Sequence, residues 1–517
     1  MRILIFLLGL SLVPSAAHAE WREATSTHFI VYSEGSEEQV RQTAVRLEKY
    51  DFLLRFVTGV TRPPSPIRLK VYMVEDVAKV ENSLYGGGEG ILGYYNTGAR
   101  GPFAVMPRGK SAESVLFHEY THHFMFQYFP AAYPTWYTEG FAEYYGMARI
   151  LDDNLIEVGQ PAQDRYSTFA ELPWLPVGKL LTAHSYADVP GEQIFSLYAE
   201  GWLLTHFMGT THERGHQLNV YLGAINAGKS YAEATKLAFG DDIGKLDDEL
   251  LKYSRQRHLS VLQLHFKPID TGPIAVRQLS GSEAALIYQE IKLSRGVLAR
   301  EAKQFASDVR FFARKFPDDP HALSVQVQAE QAAGNGEAAV ALVDHWLAVQ
   351  PDSPDALLWK SKLDIAALAA AGSKDPAAWG KVRSRLLRLS RAWPTNPFIL
   401  EAYYDSFAAA RIEPPAEAQN ALFSAFELLP QYEELRYKLA LDFEQRGMIE
   451  DAISTIKPAA FALSDAEVED AKKKQKREAQ AEKWRLAETA RHETPREMLV
   501  RLEAKLGAQA KAAKQPA

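Results

Sequence analysis

The sequence predicts an α+β N-terminal half followed by an all-α repeat array. Three observations carry this. Short β-type runs flank one long helical stretch before residue 107, and the apolar periodicity from Ala112 to about Arg255 is helical. Beyond Ser280 the composition shifts to Ala, Leu, Gln and Glu, and Pro317-Asp318-Asp319-Pro320 recurs 34 residues later as Pro351-Asp352-Ser353-Pro354.

Arg2, the apolar run Ile3 to Val13 and the site Ala17-His18-Ala19 read as a secretory signal peptide over residues 1–19. Cleavage after Ala19 would deliver the chain to the periplasm or the outside of the cell. No later run approaches the roughly twenty apolar residues a membrane span needs. The chain has 517 residues, 47% hydrophobic and 24% charged residues, a net charge of -7 and no cysteine. Wholesale disorder and a main partner of nucleic acid are thereby disfavoured. The lack of cysteine excludes disulfides and thiolate metal sites, leaving any metal to His, Asp and Glu.

Residues 20–105 form the N-terminal α/β part, with strands at Phe29 to Ser33 and Ile67 to Val74 flanking a helix near Glu37 to Phe56. Gly86-Gly87-Gly88 and Asn96-Thr97-Gly98 mark a loop and hairpin region, and Phe103 to Met106 is a short strand after them. Residues 106–262 are the helical part. Residues 263–279, with Pro268, Gly272 and Pro273, are expected to be a linker.

Residues 280–460 hold the repeats. Gly334 falls where a turn between two helices belongs and Ala339 where the second helix approaches closely, while Gly447 and Ala452 mark another such unit. Pro394 and Pro430 continue the series at wider spacing, with an insertion around Ala369 to Ala378. The 34-residue period resembles that of tetratricopeptide (TPR) repeats, of which about four are expected. Such units stack into a solenoid with a concave surface able to bind a peptide or protein partner. Residues 461–517 are expected to be a charged helical tail, with the basic run Lys472 to Arg477 on a solvated face.

The chemistry concentrates in Phe117-His118-Glu119-Tyr120-Thr121-His122-His123-Phe124-Met125. On a helix His118 and His122 share one face, one turn apart, and two imidazoles so placed can bind one Zn²⁺ at ~2.1 Å. Glu119 adjoins the first ligand and can act as general base toward a metal-bound water. His123 is rotated about 100° away from that face and reads as structural. The pattern recurs at His212-Glu213-Arg214-Gly215-His216, but Gly209 before it and Gly215 inside it read as a loop or helix start.

A second helix is expected at Trp136-Tyr137-Thr138-Glu139-Gly140-Phe141-Ala142-Glu143-Tyr144-Tyr145, where Gly140 and Ala142 allow close approach to the first. Here the chain resembles the gluzincin metallopeptidases, in which a carboxylate in a Trp-x-x-Glu-Gly-x-Ala pattern completes the zinc site. The resemblance implies a thermolysin/aminopeptidase-like catalytic domain, Glu139 as the third ligand, and Glu143, one turn on, as a carboxylate supporting a ligand histidine. The exchange of these two roles stays open. Tyr198-Ala199-Glu200-Gly201-Trp202 is similar to the gluzincin segment whose tyrosine donates to the oxyanion, implying that role for Tyr198. A core tyrosine, or His206, His212 or His216 as donor, are the alternatives. The resemblance also implies that the strand Pro102 to Met106 is an edge strand pairing with extended substrate. Tyr221-Leu222-Gly223 and Phe239-Gly240-Asp241 are similar to the helical subdomain of the same group. No Gly-x-Met-Glu-Asn motif is present, which favours endopeptidase over aminopeptidase action.

The expected function is an exported zinc-dependent metallopeptidase acting on peptide or protein substrates. Two rivals are an envelope TPR scaffold with a structural or inactive metal site, and a zinc hydrolase of peptidoglycan stem peptides.

Overall fold

The chain folds around one six-stranded sheet, whose strands are β1 (Trp21–Thr25), β2 (Phe29–Glu34), β3 (Leu69–Val74), β4 (Tyr94–Gly98), β5 (Gly101–Pro107) and, from far along the chain, β9 (Ala275–Gln278). The structure is a computed structural model describing residues 20–84, 91–109, 112–151, 154–160, 171–183, 189, 193–210, 212–256, 258–462 and 493–513. The signal segment, the Gly86-Gly87-Gly88 loop and the Lys472 to Arg477 run lie outside the described residues.

The sheet order is β4-β5-β3-β2-β1-β9. Strands β2, β3 and β5 run parallel, and β4, β1 and β9 pair antiparallel with their neighbours. Strand alternation sends Ala104 and Met106 to one core and Phe103 and Val105 to the other. Helices α1 (Glu37–Thr58) and α3 (Ala112–Tyr128) cover the first face, with Leu47, Leu54, Phe117 and Tyr120 among the buried residues. The short α2 (Val77–Ser83) covers part of the second.

Two sequence expectations are corrected here. The strand at Pro102 to Met106 is not an edge. Both its neighbours are strands and Phe103 to Met106 are fully buried, so it reads as a continuous apolar run. The edge is β4. Residues 263–279 are not a free linker either: β9 pairs with β1, and β8 (Leu262–His265) joins β7 (Leu155–Val158) and β6 (Arg149–Ile150) in a small second sheet.

Helix α4 (Thr135–Gly146) follows α3. A helical layer then comprises α5 (Val177–Thr182), α6 (Ile194–Thr210), α7 (His212–Asn226), α8 (Tyr231–Phe239) and α9 (Ile243–Ser254) around Trp136, Trp202, Leu203 and Tyr221. Beyond β9 the described residues form five helix pairs: α10 (Gly281–Arg295) with α11 (Ala302–Ala313), α12 (Pro320–Ala332) with α13 (Gly336–Val349), α14 (Pro354–Ala370) with α15 (Pro376–Ala392), α16 (Pro397–Ala408) with α17 (Ala416–Leu428), and α18 (Glu433–Gln445) with α19 (Ile449–Ala462).

The repeated proline has a local cause. Pro320 and Pro354 both open a helix, and Asp319 and Ser353 before them accept the N–H groups of Ala322 and Ala356. Proline at the first helical position costs no hydrogen bond, and the preceding side chain caps the turn. Asp375-Pro376 and Asn396-Pro397 repeat the device at the wider spacings. Gly334, at φ 77°, closes α12 in the left-handed conformation that glycine adopts freely.

The first helix of the array belongs to both halves. Ile287 and Ile291 of α10 pack on Tyr72, Phe103 and Val105, covering the second sheet face. At the far end, Lys457 Nζ on α19 donates to the Asn226 carbonyl at the end of α7, 2.8 Å away. The segment expected as a charged tail ends in α20 (Pro495–Ala513), which buries Met498, Leu499 and Leu502 against α18 and α19. Among the described residues no helix is long and apolar enough to cross a membrane.

Candidate metal centre

Helix α3 presents two faces because its residues differ in polarity. Leu116, Phe117, Tyr120, Thr121 and Phe124 are buried toward the sheet and α1, while His118 and His122 lie on the opposite, partly open side. The inner face is fixed by polar contacts as well as packing. Tyr120 Oη donates to Asp51 Oδ1 at 2.6 Å, the Tyr50 and Thr121 hydroxyls meet at 2.7 Å, and the Tyr50 ring stacks on Phe117 at 3.9 Å. Rotation of α3 would break these buried bonds, each costing about 1–3 kcal/mol if left unsatisfied.

Helix α4 carries the carboxylates and is clamped from both sides through glycines. A Cβ at Gly146 would come within 3.1 Å of the His118 backbone, and one at Gly140 within 2.3 Å of the Gly201 carbonyl oxygen on α6. Only residues this small allow three helices so close.

The result is a convergence of three donor atoms. His118 Nε2 lies 3.1 Å from His122 Nε2, and Glu139 Oε2 lies 3.3 Å and 3.6 Å from those two nitrogens. Ligands held tetrahedrally at ~2.0–2.1 Å from one zinc ion are separated by about 3.3 Å. The triangle therefore has the size of one face of a zinc tetrahedron. Glu143 Oε1 stands 3.6 Å from His118 Nδ1, the nitrogen pointing away from the triangle. A carboxylate there favours the proton on Nδ1 and frees the Nε2 lone pair.

Among the described residues one other group offers three such atoms, His28, Glu48 and Asp51. It already holds a cation. Arg55 Nε donates to Asp51 at 2.6 Å, and an Arg55 amino group lies 3.2 Å from His28 Nε2. That group is an ion-pair network bracing α1 and α3.

The charges of the first group are coupled. Burial would raise the Glu139 carboxyl, but the imidazoles of His122 and His118 outweigh it and hold it well below the ordinary carboxylate range. Burial works against protonation of His118, yet its hydrogen bond to Glu139 and the charges of Glu143, Glu139 and Glu119 push it up to about 9. Glu119 is raised above the usual carboxylate value by burial, with His118 and His122 offsetting part of the rise. Its carboxylate accepts the backbone N–H of Tyr95 on the edge strand.

The remaining residues singled out in the sequence are placed as follows. His123 is buried on the other side of α3 with Nδ1 3.2 Å from Tyr95 Oη, and burial lowers it to about 3. Tyr198 is half-buried on α6, one turn before Gly201. His206 is committed elsewhere: Nε2 donates to the Ser260 carbonyl at 2.9 Å and Nδ1 accepts from Tyr253 Oη at 2.9 Å. The second His-Glu-x-x-His copy opens α7, so it stands at a helix start.

Sequence reasoning missed Asp51, Tyr95 and Phe126. Phe126 lies one turn after His122, its ring parallel to that imidazole at 6.3 Å. Their roles depend on contacts across long sequence separations, for which neighbouring residues hold no signal.

No protein-family model matches the chain, and no curated protein matches it. Similar solved structures include TTC0263, a thermophilic TPR protein in Thermus thermophilus, at 17% identity and a TM-score of 0.29, covering 34% of this chain and 88% of that one. Another is MamA 41-end from Desulfovibrio magneticus RS-1, at 15% identity and a TM-score of 0.25, covering 34% of this chain and 90% of that one.

Proposed function

We propose that this chain is an exported zinc metallopeptidase, with Zn²⁺ held by His118, His122 and Glu139. The observation that carries the reading is the donor triangle with edges of 3.1, 3.3 and 3.6 Å, with the half-buried Glu119 adjoining His118 on the same helix. Zinc, when bound, supplies Lewis-acid polarisation of the scissile carbonyl and lowers the pKa of water. The Glu143 carboxylate, 3.6 Å from His118 Nδ1, favours the tautomer that leaves Nε2 free.

Glu119 is the proton carrier. Its burial-raised basicity suits it to take a proton from the attacking water and return it to the leaving amine. Tyr198 is assigned as donor to the oxyanion. The edge strand β4 offers backbone carbonyls to an extended peptide, the role the sequence suggests for the neighbouring strand. Export rests on the N-terminal signal-like segment, and endopeptidase action on the missing amine-capture motif.

The test is Glu119→Gln. Zinc content should stay at one per chain while hydrolysis of a peptide library falls by at least ~10²-fold, the usual contribution of a general base. Wild-type turnover in this variant would overturn the mechanism. Cell-wall fragments incubated in parallel decide between protein and peptidoglycan stem peptides.

A further inference from the structure

The helix-pair array does not stand apart from the metal centre. A cavity of 960 Å³ lies between the edge strand and the array, lined by residues 95–99 of the β4 hairpin and Phe126 on one side. The other side is formed by Lys362 and Ala366 of α14, Glu401 and Asp405 of α16, and Lys438 of α18. These are the first helices of three successive pairs, the ones lining the concave face. The array is also tied to the sheet-containing half at separate points: Arg100 pairs with Glu290 and Gln328, Ile67 packs into the cluster of Leu400, Tyr404 and Leu435, and Lys457 reaches Asn226.

The cavity begins where the metal centre ends. Tyr95 gives its backbone N–H to Glu119 and also lines the cavity, and Phe126 lines it from one turn beyond His122. The N–H of Thr97 is taken by Asn96 Oδ1 at 2.6 Å, so Tyr95 and Thr97 direct their N–H groups to the side away from β5. Both N–H groups on that side are therefore already taken, by Glu119 and Asn96, which leaves the carbonyls of Tyr95 and Thr97 facing that side. From Tyr95 to Gly98 the strand spans about 10 Å at the usual rise, the length of about three residues of extended chain. Opposite, Lys438 Nζ is fixed by Glu401 at 2.6 Å and Asp405 at 2.9 Å, a rigid polar wall.

We propose that the concave face of the array is the outer wall of the substrate cleft, enclosing about three residues of an unfolded polypeptide on one side of the scissile bond between itself and β4. This rests on the peptidase reading for the position of the scissile bond. The substrate class follows from the enclosure. A folded surface cannot enter between β4 and the helices, whereas an extended chain can lie along one wall and place its side chains on the other.

The experiment fills the cavity in the full-length chain. Ala366 and Ala369 are exposed and line it, so Ala366→Trp and Ala369→Trp occupy space without disturbing the helix core; Ala367→Trp, exposed on another side of α14, is the control. A decapeptide found cleaved by the wild type is compared with its truncations from each end. In the filling variants kcat/KM for the decapeptide should fall at least tenfold more than for the truncation that no longer reaches the cavity, with zinc content unchanged. Equal loss for both, or no loss for either, overturns the proposal.

A second arm does not need turnover. Binding of fluorescein-labelled casein to zinc-loaded Glu119→Gln protein should weaken at least tenfold on adding Ala366→Trp and stay unchanged on adding Ala367→Trp. An absence of hydrolysis in the wild type would count against the peptidase reading alone, and the casein affinity would then decide the cavity. Unchanged affinity, or no binding at all, refutes it.

Discussion

Gly140→Ala is the substitution in which fold and chemistry meet most closely. The new methyl carbon would stand 2.3 Å from the Gly201 carbonyl oxygen, 2.5 Å from its carbonyl carbon and 2.6 Å from Thr205 Oγ1. The first two are backbone atoms of a buried helix and cannot rotate away. Helices α4 and α6 must separate by about 1 Å, an overpacking strain of ~1–3 kcal/mol. Alanine recovers up to ~1 kcal/mol of helix propensity, so the net loss is on the order of 1–2 kcal/mol. The adjacent Glu139 moves with α4, and its 3.3 and 3.6 Å separations from the two imidazoles change by a comparable amount. A misplacement of that size at a reacting centre costs about 10²-fold in rate. The assay is a melting curve and zinc content beside peptide hydrolysis, with Gly223→Ala as control. Gly223 lies within α7 with nothing within 4 Å of its added carbon, so its replacement should be neutral or stabilising. If Gly140→Ala melted with the wild type and kept its zinc, the close crossing of α4 and α6 would be wrong.

Two further outcomes are expected. Glu200 is buried with Oε1 accepting the Leu175 N–H at 2.7 Å, and burial, reinforced by Asp247, raises its carboxyl to about 9. The native state therefore keeps a proton that the unfolded chain loses above about pH 4.5. Its contribution to stability is complete below that pH and declines as pH rises toward 9, by up to ~1.4 kcal/mol per unit. Glu200→Gln should flatten the fall in melting temperature between pH 6 and pH 8, and an unchanged slope would contradict the assignment. Chelation of zinc should abolish hydrolysis and lower the melting temperature, and restored zinc at 100 times its dissociation constant should recover about 2.7 kcal/mol. Full activity after exhaustive chelation would refute the metal-dependent reading.

Much of this architecture is legible in the sequence for physical reasons. The repeat array announces itself because each pair begins with a capping side chain followed by proline, a local device that recurs at Asp319-Pro320 and Ser353-Pro354. The two histidines are legible because spacing alone puts positions four apart on one helix face. Glu139 needs more: small neighbours at Gly140 and Ala142 predict close approach, and the resemblance supplies the choice between Glu139 and Glu143. Sheet order is not legible. Strand β4, Tyr94-Tyr95-Asn96-Thr97-Gly98, carries turn-forming residues and reads as a hairpin tip, which leaves the apolar strand beside it looking like the edge. Strand β9 sits among prolines and a glycine, and its partner β1 is some 250 residues away, a pairing no local pattern encodes. The cavity is likewise built from segments 95–99, 126 and 362–438, which only the tertiary fold brings together.

The most direct test of the account is the zinc X-ray absorption spectrum of the full chain loaded with one equivalent of Zn²⁺, recorded beside His118→Ala and Glu139→Ala. The expected spectrum shows two imidazoles and oxygen donors at ~2.0–2.1 Å, with zinc lost or the imidazole signature altered in each variant. An unchanged spectrum and unchanged zinc content in either variant would contradict the site.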